Sequence, residues 1–132
     1  MTYSYLTITP AVRRPIIDII VKSDNYFAIY PMLIDSGADY CILNLELAKS
    51  FRIKLSKTAI KFFGIGGEQI IGRWGVIELK IAGHTYKTKV LFADISQFGH
   101  GILGQQGFFN HFDIKLSYQK QTIEIEPVKL TN

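Results

Sequence analysis

Apolar and polar residues alternate along most of this chain. The segments Ile16 to Lys22, Tyr26 to Ile34, Ile70 to Ile81, Thr85 to Phe92, Ile114 to Tyr118 and Thr122 to Glu126 follow the two-residue period of strands that bury one face. Ala82-Gly83-His84, between Ile81 and Tyr86, predicts a short turn that folds two of these strands into a hairpin. Glycines punctuate the pattern again at Gly64-Ile65-Gly66-Gly67 and at Gly99-His100-Gly101. Two stretches carry helical spacing instead. Asn44 is placed to cap a helix over Leu45 to Phe51, and Phe108, Phe109 and Phe112 recur on one side of a second over Gly104 to Phe112. The pattern therefore predicts a mainly β fold with one or two short helices. No repeat, low-complexity stretch or linker divides it, so residues 1–132 read as one domain.

Composition narrows this picture. The chain has 132 residues, enough for one core and too few for two ordinary domains. Its 48% hydrophobic and 20% charged residues are those of a chain that folds. The formal charge of +4 comes largely from lysines such as Lys54, Lys57, Lys61, Lys80, Lys87 and Lys89, separated by apolar residues at strand spacing. Such lysines solvate a sheet face. The only adjacent basic pair is Arg13-Arg14, a weak footprint for nucleic acid. A single cysteine, Cys41, excludes an internal disulfide and fits a reducing, cytoplasmic compartment. Met1-Thr2-Tyr3-Ser4-Tyr5 lacks the basic start and apolar run of a secretion signal, and no segment approaches the ~20 apolar residues of a membrane helix.

The candidate chemistry lies in Met32-Leu33-Ile34-Asp35-Ser36-Gly37-Ala38-Asp39. An apolar strand delivers one acid into a tight turn, and a carboxyl partly withheld from water becomes sensitive to its neighbours. Ser36 can brace the turn locally, and Gly37 allows approaches that a Cβ blocks. An isolated Asp-Ser-Gly is most simply a surface turn; the apolar flanks, ending in Cys41-Ile42-Leu43, weaken that reading here. Other chemistries lack their residues. His84, His100 and His111 do not fall at metal-ligand spacing and have no cysteine cluster beside them, so no metal or cofactor is expected. Ser36 lacks the Gly-x-Ser-x-Gly frame of a hydrolase nucleophile. Gly64-Ile65-Gly66-Gly67 lacks the third glycine of a dinucleotide fingerprint and runs into Ile70-Ile71, a strand rather than a helix.

A carboxylate can deprotonate water, but amide hydrolysis also needs a proton donor. Two carboxyls sharing one proton supply both. Asp18, Asp24, Asp94 and Asp113 are not followed by a glycine turn, and Asp39 lies in the same turn as Asp35. The missing partner is then Asp35 of a second chain across a two-fold axis.

Asp35-Ser36-Gly37-Ala38-Asp39, Gly64-Ile65-Gly66-Gly67 and Gly101-Ile102-Leu103-Gly104 resemble, in order and spacing, the active-site loop, flap tip and hydrophobic-hydrophobic-glycine loop of retropepsin-like aspartic proteases. Gly104-Gln105-Gln106-Gly107-Phe108-Phe109 is more similar to the small cellular members, in bacteria for instance, than to the viral ones. The resemblance implies a homodimeric endopeptidase acting on polypeptides. Asp35 would be catalytic, Ser36 and Gly37 the loop at the dimer axis, and Ala38 and Asp39 contacts for substrate backbone. Gly64, Ile65, Gly66 and Gly67 would form a flap over an extended peptide, between strands such as Ile60 to Phe63 and Gln69 to Trp74. Ile102, Leu103 and Gly104 would support Asp35 from beneath. Viral members carry an arginine after this last motif where the present chain has Gln105, and interleave long terminal strands where it has Pro127. A reading from another class is a catalytically silent protease-like fold used as a protein-binding or assembly module.

Overall fold

The computed structural model describes residues 1–63 and 67–129. The strongest β signals become the longest strands: β4 (Ile16–Ser23), β5 (Tyr26–Ile34), β8 (Gln69–Ile81) and β9 (His84–Ala93). β8 and β9 meet across a two-residue turn, with Ile81 opposite His84 and Ala82 and Gly83 at φ 51° and 80°. Both central residues therefore have the positive φ that matches the twist of a hairpin. Shorter strands fill the gaps: β1 (Thr2–Ser4), β2 (Leu6–Thr9), β3 (Val12–Arg14), β6 (Ile42–Asn44), β7 (Ala59–Phe63), β10 (Gly101–Leu103), β11 (Phe112–Ser117) and β12 (Thr122–Pro127).

One sheet runs β4-β5-β10-β6-β9-β8-β7, and β4 also pairs with β8. That second pairing joins β4, β5, β10, β6, β9 and β8 into a closed ring and leaves β7 with the end of β8 as an arm beyond it. Inside the ring lie Ile17, Ile19 and Val21, Met32 and Ile34, Leu43, Ile77, Leu79, Ile81, Val90, Phe92 and Leu103, all buried in one cluster. β1, β12 and β11 form a separate sheet in which Thr2 pairs with Glu124 and Phe112 with Pro127. The first and last strands are thus joined within the chain, and the Met1 amino group lies 2.6 Å from the Glu126 carboxylate. β2 and β3 make a two-stranded ribbon whose residues are all exposed.

The expected first helix is present as α1 (Leu45–Ser50), capped by Asn44, whose side chain accepts from Glu46 N–H, and ending at Phe51. The helix expected over Gly104 to Phe112 does not form. Residues 105–111 are turns: Phe109 N–H reaches back to Gly104 C=O and Asn110 N–H to Gln105 C=O, five residues rather than four, and Gly107 has φ 102°. Asn110 Oδ1 accepts the Gly107 N–H, a side-chain bond that holds the turn. Phe108 and Phe112 still bury as the spacing requires, since a chain of turns brings them to the core equally well. A 3₁₀ turn at Ser96–Phe98 was not signalled by spacing. Among the described residues no helix is long and apolar enough to cross a membrane.

Candidate active site

Asp35 follows directly on β5, where β5 and β10 run parallel with Met32 opposite Gly101 and Ile34 opposite Leu103. Asp35 N–H continues this ladder by donating to the Leu103 carbonyl at 3.0 Å. The chain then turns. Ala38 N–H donates to the Asp35 carbonyl at 3.2 Å, and Gly37 N–H to Asp35 Oδ1 at 2.9 Å. One carboxylate oxygen is thereby held by the loop's own backbone, the Asx-turn geometry that Asp favours, and the other has no hydrogen-bond partner among the described residues. Asp35 is half-buried, whereas Ser36, Gly37 and Asp39 are exposed.

The segment after Leu103 clamps the far side of the turn. Gln105 and Gln106 N–H donate to the Ala38 and Asp39 carbonyls at 2.8 and 2.9 Å. Gly104 lies so close beneath that a Cβ would fall on the Tyr40 carbonyl and 2.7 Å from that of Ala38, so no other residue fits without moving the loop. Gly104 N–H points at Cys41 Sγ. Burial pushes the Cys41 thiol up to about 11, which keeps it a neutral packing group rather than a nucleophile. Gln105 holds a position the sequence marked only as a missing arginine. Its Nε2 donates to the Ser36 carbonyl at 2.7 Å, so a neutral amide braces the loop without an ion pair.

Each strand at this end has two apolar faces. Leu33, Ile42, Leu91 and Ile102 point away from the ring, while their neighbours Ile34, Leu43, Phe92 and Leu103 point into it. The outward residues join Ile60, Phe62, Ile70, Ile95 and Phe98 from the β7–β8 arm and the segment after β9. They line a cavity of about 690 Å³ with Asp35, Gly37, Ala38 and Asp39 at its rim. Arg14, from the end of β3, and His100 add two basic groups. The sequence did not reveal this wall, because a strand apolar on both faces reads the same whether its second face meets core or substrate. Nor does spacing single out His100, which lies between two glycines and outside any metal-ligand set.

The structure brings Asp35, Ser36, Gly37, Ala38, Asp39, Ile102, Leu103 and Gly104 together, with Ile102 facing the cavity and Leu103 the core. Gly67 is exposed at φ 81°. The other expected flap residues, Gly64, Ile65 and Gly66, lie outside the described residues. Among the described residues no three His, Cys, Asp or Glu side chains cluster as metal ligands would.

No curated protein matches the chain significantly. Among solved structures, the EIAV protease complexed with the inhibitor HBY-793 is similar, with a TM-score of 0.57 and 22% identity over 75% of this chain and 88% of that one. At that identity the likeness establishes a shared fold, a small, mainly β protease-type domain. A model of the aspartyl protease family matches residues 25–106, a span that runs from the start of β5 through Asp35 to the Gln105-Gln106 clamp. The chain belongs to the aspartyl protease family.

Proposed function

We propose that the protein is an aspartic endopeptidase that works as a homodimer, with Asp35 of each chain on opposite sides of one water. Residues 1–132 then form one protease domain that supplies half of the active site. The observation that carries this reading is the setting of Asp35: one carboxylate oxygen tied to Gly37 N–H, the other without a partner among the described residues, beside an apolar cavity. The exposed Ser36-Gly37 turn is the natural surface for a second copy, because the partner carboxyl has to approach Asp35 from that side.

Two such carboxyls share one proton, since close like charges do not both ionise readily. The ionised one takes a proton from water as the water oxygen bonds to the peptide carbonyl carbon. The protonated one gives its proton to the carbonyl oxygen. In the second step the carboxyl that took the water proton gives it to the amide nitrogen, the other carboxylate takes a hydroxyl proton from the tetrahedral diol, and the C–N bond breaks to leave acid and amine with one shared proton restored. In this reading Ala38 and Asp39 meet substrate backbone, and Gly64, Ile65, Gly66 and Gly67 have the role of a flap. Ile102, Leu103 and Gly104 hold the loop. Neither metal nor organic cofactor enters this chemistry. Cytoplasmic residence belongs to the same reading and is supported by the single, buried Cys41.

The test is Asp35→Asn. Alone, it is expected to lose peptide cleavage by about 10²- to 10⁴-fold or more while keeping its fold, because the amide cannot act as a base. Added in excess to a fixed amount of wild type, it is expected to draw activity towards zero as mixed dimers form. Constant activity per wild-type chain, with subunit exchange confirmed by mass-tagged chains, overturns the shared site. A variant that keeps its partners but never had activity to lose indicates the binding-module reading.

A further inference from the structure

The cavity has a direction. β10 runs parallel to β5 with Gly101 opposite Met32, so His100 lies one step before that level and Asp35 three steps beyond it. Four residues of strand separate the two levels by about 13 Å. Leu33 and Ile102 line the path between them. At the far end the His100 ring stacks on Phe98, with centroids 6.2 Å apart and planes at 20°. His100 Nδ1 lies 2.9 Å from the Gly101 carbonyl oxygen. A carbonyl oxygen only accepts, so Nδ1 carries the hydrogen, and in the neutral ring Nε2 keeps its lone pair. Nε2 has no hydrogen-bond partner among the described residues. His100 thus adds to the mostly apolar lining a polar ring atom with no partner among the described residues, and Arg14 adds a second basic group.

We infer that His100 is a specificity-determining residue, selecting a substrate side chain with an apolar aromatic stem and a hydroxyl at its tip: tyrosine over phenylalanine. This rests on the peptidase reading of the same site. A phenol matches Nε2 in either ring state, because its O–H donates to the neutral nitrogen and its oxygen accepts from the protonated one. Phenylalanine fills the same apolar volume but strips water from Nε2 and returns nothing. Sites built on a hydrogen bond discriminate in this way, whereas apolar walls alone scarcely separate the two. One neutral hydrogen bond corresponds to a preference of about three- to tenfold.

The experiment compares peptides identical except for Tyr or Phe at each position flanking a cleaved bond. Wild type, His100→Phe and His100→Gln are assayed for kcat/KM, and the same peptides are titrated by fluorescence anisotropy onto chains carrying Asp35→Asn, which hold them uncleaved. Wild type is expected to favour Tyr about three- to tenfold at one position in both assays. His100→Phe, which keeps a ring against Phe98 but has no acceptor, is expected to bring that ratio near one. His100→Gln, which restores a polar tip, is expected to recover part of it. Equal use of Tyr and Phe at every position, or a preference that survives in His100→Phe, overturns the inference. Absence of cleavage with the binding preference intact overturns the peptidase reading instead and leaves the recognition by His100 standing.

Discussion

The loop at Asp35 and the ribbon of β2 and β3 are both short, exposed excursions from the ring, yet they are held in opposite ways. The loop is tied by Leu103, Gln105 and Gln106 through backbone hydrogen bonds, with Gly104 pressed against its carbonyls. Among the described residues the ribbon is held by its own ladder and by Ala11 N–H donating to Thr9 Oγ1 in its turn, and Leu6, Ile8 and Val12 are exposed at 45, 47 and 39%. A two-stranded ribbon without a covered face has little stability of its own. Precision here comes from a second segment clamping the turn as well as from the turn's own bonds. The ribbon carries Arg14 to the cavity rim without any such clamp.

The largest effect comes from breaking the clamp at its tightest point. Gly104→Ala puts a Cβ onto backbone carbonyls that cannot rotate away, and is expected to cost about 1–3 kcal/mol of stability and most of the activity. An unchanged urea midpoint would show that the loop can move aside freely. A smaller loss is expected for Gln105→Ala, which removes only the bond to the Ser36 carbonyl on an exposed side chain. Its stability cost is about 0.5 kcal/mol, and kcat is expected to fall several-fold with KM little changed, since the group positions the loop rather than the substrate. A change confined to KM contradicts that role. The smallest effect belongs to the ribbon. Ile8→Thr keeps a β-branched residue on an open strand and is expected to stay within about 0.5 kcal/mol of wild type in chemical denaturation. A loss above 1 kcal/mol in dilute protein would mean that Ile8 is covered in solution.

Terminal strands sharpen the same contrast. β1 pairs with β12 inside one chain, with Pro127 as the last residue of β12 opposite Phe112. Within that sheet β12 has used both of its edges on its own chain and β1 one, whereas the Ser36-Gly37 turn stands exposed.

Alternation alone determined the long strands, since a period of two with one apolar face has few other solutions, and the hairpin at Ala82-Gly83 followed from local backbone preferences. Asn44 and its helix were legible for the same local reason. The Asp35 turn was legible because its residues act through bonds two or three positions apart. What only the tertiary structure decided lies in contacts distant along the chain. The turns at 105–111 replace a helix because Asn110 and Gly107 satisfy the backbone differently while still burying Phe108 and Phe112. Gln105 becomes a brace only because Ser36, far earlier in sequence, is brought beside it by the parallel pairing of β5 with β10. The cavity wall is the clearest case. Leu33, Ile42, Leu91 and Ile102 are as apolar as their core-facing neighbours, and hydrophobicity has no sign that distinguishes the two faces of a strand. Closure of the ring between β4 and β8 fixes which face is inside, and thereby which residues are left to line the cavity.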